Sequence, residues 1–285
     1  MAFPDDPALR EAILALLGAT WTRLPEAIAR ARGWGADWCE LSTPFVEVVE
    51  GEVAAHVGVM PVELVVEGEA RRLAGIHAVC TAARQRGRGL MRAALERALA
   101  WAEGEGGFDG AILWANDPAI YGRFGFVARP ESIFVGAVKG GPRRAEELSL
   151  ARAEDVARVR ACLERRAAIS RRSGVTGPAA LCLIDLALWQ PGPSLAYLPE
   201  QGAVVVYAVR ERFLDLYDVI APREVTLAEI AAQMGERIDT AAVYFSPERL
   251  DAPHLRAEPT TLYDTLMTRG VAMAEVLAVP PLGRC

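Results

Sequence analysis

The stretch with the clearest chemical meaning is Ile76 to Met91, where an apolar run meets a basic, glycine-punctuated loop that opens into an amphipathic segment. Arg84, Arg86 and Arg88 alternate with Gln85, Gly87 and Gly89 ahead of Leu90. Glycine lets a backbone approach a ligand closely and take conformations other residues avoid. The free N–H groups of a helix start, aided by the helix dipole, form an anion site. Three arginines add more charge than a solvated helix start requires, and a diphosphate fits the combination. Two well-known phosphate loops do not. A P-loop needs Gly-x-x-x-x-Gly-Lys-Ser/Thr, a string the chain lacks. A dinucleotide fingerprint beginning at Gly87-Arg88-Gly89 would need glycine where Arg92 stands, and would follow antiparallel strands instead of opening a parallel unit.

A second string, Asn116-Asp117-Pro118-Ala119-Ile120-Tyr121-Gly122-Arg123-Phe124-Gly125-Phe126, lies one helix and one strand further on. Arg84-Gln85-Arg86-Gly87-Arg88-Gly89 resembles the Arg/Gln-x-x-Gly-x-Gly/Ala signature of the GNAT superfamily of N-acetyltransferases. The second string resembles that superfamily's Tyr-x-x-x-Gly-Phe element. The wording Ile120 to Phe126 behind Gly89-Leu90-Met91-Arg92 is similar to the enhanced-intracellular-survival (Eis-like) branch and its shorter bacterial relatives. The likeness is specific over about residues 45–135 and architectural beyond them.

The resemblance implies acetyl-coenzyme A as co-substrate, with no metal. Val79, Cys80 and Thr81 would contact the pantetheine arm. Arg84, Gln85, Arg86, Gly87, Arg88, Gly89 and Leu90 would cradle the pyrophosphate, and Asn116 joins the coenzyme contacts. Tyr121 would face the thioester sulfur. The expected reaction is direct attack of a primary amine, from a small molecule or a peptide, on the thioester carbonyl in a ternary complex. An alkylammonium must first lose its proton, so a base or a water relay is needed. Some superfamily members carry a glutamate on the strand before the loop, at the position held here by Leu73. Three routes stay open: His77, which shares that strand parity, the C-terminal carboxylate of Cys285, by analogy with the Eis branch, and a water relay. The Cys285 thiol has no activating neighbour in sequence.

The elements that must position these groups are legible from periodicity. Pro7 to Leu17 and Thr22 to Arg32 have helical patterns, the first after Asp5-Asp6. Strands are expected at 45–49, 53–59, 62–66 and 71–81, turning at Glu50-Gly51-Glu52 and Glu67-Gly68-Glu69. A helix follows over 89–103 and a strand over Ala111 to Trp114. Later expectations are a helix over Ala153 to Arg171, strands over 203–209, 213–220 and 241–245, and a helix over Leu227 to Met234. The fold class is α/β, a mixed, mainly antiparallel sheet with flanking helices. Residues 1–140 are expected to form a GNAT acetyltransferase domain. Past Lys139-Gly140-Gly141-Pro142, residues 141–285 would form a smaller, degenerate GNAT-like domain that walls the acceptor cleft. Trp34 and Trp38 are candidates to line that cleft.

Composition bounds the rest. Of 285 residues, 52% are hydrophobic and 24% charged, with a mean hydropathy of +0.17, as in core-forming globular chains. No apolar run reaches the ~18 residues needed to cross a bilayer. The acidic N-terminus lacks the features of a signal peptide, so a cytoplasmic location without membrane association is expected. The net charge of −6 argues against nucleic-acid binding. The 5 cysteines and 3 histidines show no metal-ligand spacing and read as reduced, mostly buried thiols and isolated imidazoles. Homo-oligomers are compatible with the sequence. The competing function is a non-catalytic, acetyl-coenzyme A-binding regulatory module, which Tyr121 disfavours and the leucine at position 73 keeps open. A nucleotide-dependent oxidoreductase is disfavoured by Arg92.

Overall fold

Asp6 starts the first helix by accepting hydrogen bonds from the N–H groups of Ala8 (2.9 Å) and Leu9 (3.4 Å), with Pro7 presetting φ in the first turn. In the computed structural model, which describes residues 6–260 and 264–284, this helix, α1 (Pro7–Thr20), leads to α2 (Leu24–Gly33) and a single turn, α3 (Trp38–Leu41). The strands β1 (Thr43–Val49), β2 (Glu52–Val66) and β3 (Glu69–Thr81) then form an antiparallel meander. It turns at Gly51 and Gly68, whose φ values of 83° and 87° require glycine-like freedom. The two strands expected over 53–66 are one. Pro61 does not break β2, because it sits where pairing with β1 has ended at Val59 and pairing with a later strand starts at Glu63. No ladder N–H is needed there.

After the basic loop come α4 (Leu90–Glu103), β4 (Gly110–Ala115), the short helix α5 (Ala119–Gly122), β5 (Val127–Arg129), β6 (Ser132–Ala137) and β7 (Glu146–Leu148). The chain continues through α6 (Ala153–Leu163), β8 (Ser173–Gly177), α7 (Ala179–Leu188), β9 (Ser194–Leu198), β10 (Ala203–Arg210) and β11 (Phe213–Ile220). It ends with α8 (Leu227–Ala231), β12 (Thr240–Val243), β13 (Arg256–Pro259), β14 (Thr265–Arg269) and an irregular apolar tail. The expected helix to Arg171 stops at Leu163. Its continuation is drawn inward by Arg166, whose buried guanidinium pairs with Asp218 (2.9 Å). It then bends around Glu248, which accepts from the Ser170 hydroxyl and from the N–H groups of Arg171 and Arg172.

Among the described residues the strands form two seven-stranded sheets, one ordered β1-β2-β3-β4-β14-β5 with β8 added on β2, the other β13-β6-β12-β11-β10-β9-β7. Pairing is antiparallel except for β3 with β4 and β11 with β12. This is the mixed, mainly antiparallel α/β fold expected. The sheets exchange strands across position 140. β6 belongs to the second sheet, and β8 and β14 to the first.

Helix α4 covers one face of the first sheet, burying Ala94, Leu95, Ala98, Leu99 and Ala102 against Val57, Val59, Ala74 and Ile76. The other face shares one core with α1, α2, α7, the second sheet and the tail residues Leu277, Val279 and Leu282. The outer face of the second sheet packs on α8.

Candidate active site

β3 and β4 pair only through Leu73–Gly75 with Gly110–Ile112. Beyond that point β3 runs on to Thr81 and β4 to Ala115 without pairing to each other, and the far edge of β4 is bonded to β14. The result is a wedge in the sheet, its β3 side formed by the backbone through Val79, Cys80 and Thr81. A register shift between His56 and Gly58 puts a bulge opposite, where Ala78 takes a φ of 48°. His56 holds this conformation: its Nδ1 donates to the Ala78 carbonyl at 2.8 Å, which fixes the tautomer because a carbonyl only accepts. Burial lowers the His56 pKa to about 4, so the imidazole is neutral at pH 7. Cys80 is buried and its thiol is pushed up by that burial, away from thiolate character.

The strand empties into the basic loop. Gly87 and Gly89 have φ values of 76° and 77°, and a Cβ on either would meet nothing within 4 Å. Their need for glycine is therefore conformational, and the space above them is open. Gly89 caps α4 without any side-chain hydrogen bond to the first turn, so the N–H groups there point outward unpaired by a cap. Arg84 pairs with Glu52, Arg88 donates to Gln85, and Arg86 Nε donates to the Thr81 carbonyl at 3.3 Å. All three guanidinium groups are on the surface. Leu90 is half-buried at the helix start. Wedge, open glycines and uncapped helix start lie in sequence along one path, and this shape fits a chain-like ligand with a polyanionic head.

Tyr121 stands in α5, just past the end of β4, half-buried beside Phe126 with ring centroids 6.2 Å apart. Its hydroxyl makes no hydrogen bond among the described residues, and burial raises its pKa above 10.0, keeping it protonated. Asn116 is exposed at the C-terminal end of β4, lining a separate hollow with Arg129, Glu131 and Thr260. Leu73 is buried in the core.

A second cavity, of about 340 Å³, opens on the opposite face, bounded by Trp21, Trp38, Met60, His77, Ala78 and α7. His77 faces the site of the missing Cβ of Gly58, where a methyl group would come within 2.4 Å of its ring. The imidazole reaches the cavity wall, but its Nε2 lies 3.0 Å from the Ser42 hydroxyl and its Nδ1 is buried without a partner among the described residues. Burial and the nearby His56 hold its pKa well below 6.5. Trp38 packs edge-on against it at 4.8 Å, whereas Trp34 donates to the Leu150 carbonyl at 3.0 Å and does not line the cavity. Cys285 lies outside the described residues. The chain before it is drawn in: Arg284 stacks over the Trp114 ring at 5.1 Å and pairs with Glu131 at 2.9 Å.

Sequence reasoning missed Asp185, which lines this cavity from α7. The available signal was a lone acid inside the apolar run Ala179 to Leu188. Among the described residues no group of three or more His, Cys, Asp or Glu is placed to hold a metal ion, and no helix is long and apolar enough to cross a membrane.

The family model of an acetyltransferase (GNAT) domain matches residues 10–128. No curated protein matches the sequence. Among solved structures, a probable N-acyltransferase from Enterococcus faecalis is similar at a TM-score of 0.62 and 14% identity, covering 93% of this chain and 70% of that one. Eis1 from Mycobacterium abscessus is similar at 0.57 and 17% identity, covering 88% of this chain and 71% of its own. A GCN5-related N-acetyltransferase from Anabaena variabilis is similar at 0.53 and 17% identity, with 92% and 71% covered. At these identities the likeness is one of fold, and it extends through both sheets.

Proposed function

We propose that the chain, whose residues 10–128 match the acetyltransferase (GNAT) domain family, transfers an acetyl group from acetyl-coenzyme A to a primary amine by direct attack in a ternary complex. The observation that carries this reading is the continuous path from the β3–β4 wedge through Gly87 and Gly89 to the uncapped start of α4. The β3 backbone at Val79 to Thr81 would hold an extended arm by main-chain hydrogen bonds. The first-turn N–H groups of α4, with Arg86 and Arg88 beside them, would hold a pyrophosphate. When bound, acetyl-coenzyme A supplies an activated acyl group and a thiol leaving group.

The residues of the chain have three tasks. The β3 bulge holds N–H groups in a fixed orientation beside the wedge, where a developing oxyanion needs preorganised donors. Tyr121, protonated and without a competing hydrogen bond, is suited to give a proton or hydrogen bond to a departing thiolate. The acceptor amine would enter from the opposite cavity, where Ala78 is common to the wall and the bulge. His77 borders that route, and its orientation toward Ser42 favours a positioning role, with deprotonation of the amine left to a water relay.

Isothermal titration with acetyl-coenzyme A tests the reading. Micromolar binding is expected in the intact protein and a loss of about tenfold or more in Arg86→Ala/Arg88→Ala, since each arginine offers charge-assisted hydrogen bonds. Absence of binding to the intact protein would overturn it. Binding without turnover on any amine would favour the regulatory alternative.

A further inference from the structure

We propose that Asp185 selects the acceptor, and that the cavity takes a primary amine carried on an apolar body with its ammonium group held by the Asp185 carboxylate. The proposal rests on the acetyl-transfer reading and names the substrate class for it. Leu181, Ile184, Asp185 and Leu188 occupy one face of α7 at helical spacing, and all four line the 340 Å³ cavity. Leu24 and Ala27 of α2, Met60 of β2 and the rings of Trp21 and Trp38 make up most of the remaining wall. A surface of this kind gains by covering apolar groups, and its volume matches a small-molecule site.

The charged groups around the cavity isolate one carboxylate inside it. Arg30 donates to the Ala187 carbonyl at 3.0 Å and to Glu26 at 2.6 Å, and Arg23 donates to the Gln190 carbonyl. Both rim arginines are thus tied to the end of α7, and Glu26 is engaged at the surface. Asp185 Oδ2 accepts the Gly283 N–H at 2.7 Å, which fixes the carboxyl group in place. The Arg284 N–H is a second backbone donor to the same carboxyl group. Arg284 contributes a favourable field from the tail, but its guanidinium is bound to Glu131 and the Val279 carbonyl. His77, also on the wall, is held neutral by burial and the nearby His56. Burial pushes the Asp185 carboxyl well above the ordinary carboxylate range. A buried acid whose donors are two backbone N–H groups, facing a largely apolar cavity, is further stabilised by an incoming cation.

The test uses the full-length chain and the change in its tryptophan fluorescence, to which Trp21 and Trp38 on the cavity wall contribute. The probes are 2-phenylethylamine, its neutral analogue 2-phenylethanol, and methylamine, which lacks the apolar body. The wild type is expected to bind 2-phenylethylamine about tenfold or more tighter than either comparison compound, the scale of one charge-assisted hydrogen bond. Asp185→Asn keeps an acceptor for the Gly283 N–H and is expected to lose the amine-over-alcohol preference. Asp185→Glu is expected to recover part of it. Equal affinity of the wild type for amine and alcohol, or a preference that survives Asp185→Asn, overturns the proposal. Should Asp185→Asn fail to fold, the wild-type comparison alone decides. Acetyl-coenzyme A titrations on the same samples report on the coenzyme site separately, so failure of the acyl-transfer reading and failure of this one give different results.

Discussion

At the scale of single residues, the environment of two histidines ties the bulge to pH. His56 is neutral in the fold, with its pKa depressed from 6.5 to about 4 by burial, and His77 is depressed by the same cause. A depressed histidine pKa contributes stability that is fully present above the unfolded value and is lost as pH falls toward the folded value. The window is therefore between about pH 6.5 and pH 4 for His56, and the shift sets a ceiling of about 3 kcal/mol for its share. Urea denaturation at pH 7 and pH 5 should show a loss of stability in the wild type and a smaller loss in His56→Gln, whose amide can still donate to Ala78. An identical loss in both would detach the bulge from this titration. Tyr121 is expected to behave differently. Tyr121→Phe should keep acetyl-coenzyme A affinity within about twofold and lower kcat by about a hundredfold, the low end of general-acid contributions. Unchanged kcat would reduce Tyr121 to an aromatic packing against Phe126.

At the scale of elements, the basic loop was legible because glycine and arginine spacing has few structural explanations, whereas α7 was invisible for a physical reason. Its sequence, Ala179 to Leu188, is apolar on every side except Asp185, because most of its residues are buried against α2, α6 and β8 and the rest face the cavity. A helix that is apolar all round has no amphipathic period to detect. The helix assigned over 153–171 was overrun for the converse reason: its pattern continued past Leu163, and only the distant partners Asp218 and Glu248 bend it away. The cavity proposed for the acceptor thus depended on an element that periodicity does not reveal, and the wedge proposed for the coenzyme on elements that it does. Gly89 tests the wedge. Its φ of 77° disfavours a side chain, yet a Cβ there meets no atom of the protein. Gly89→Ala should therefore cost only about 1 kcal/mol in thermal or urea unfolding. A larger loss, about tenfold or more, is expected in acetyl-coenzyme A affinity, because the methyl group would take up the open space beside the α4 start that is proposed to hold the phosphates. Affinity lost only in proportion to stability would place the coenzyme elsewhere.

At the scale of the molecule, strands from either side of the composition shift near Lys139 to Pro142 share both sheets. Strand β14 enters between β4 and β5, so β5 is held in the first sheet only through a strand from the far end of the sequence. The tail then crosses back. Ser132 N–H donates to the Leu277 carbonyl, Ser246 N–H to the Ala278 carbonyl, and Glu131 accepts from Val279 N–H and from Arg284. Glu131→Gln removes the charge facing a largely buried guanidinium and is expected to cost about 2–3 kcal/mol in urea unfolding. A stronger consequence concerns folding in pieces. Residues 1–140 alone would leave the Ala111–Ala115 edge of β4 unpaired and uncover the core positions filled by Leu266, Met267, Leu277, Val279 and Leu282. An unpaired apolar edge is prone to aggregate. Fragments 1–140 and 141–285 expressed separately should lack cooperative unfolding and acetyl-coenzyme A binding, and co-expression should restore both. A monomeric 1–140 fragment that unfolds cooperatively and binds the coenzyme would show that the exchanged strands are dispensable. The acceptor cavity, lined from both α2 and α7, would then be an addition to an already complete enzyme core. Restoration only on co-expression would mean that coenzyme site and acceptor cavity are made in one folding event.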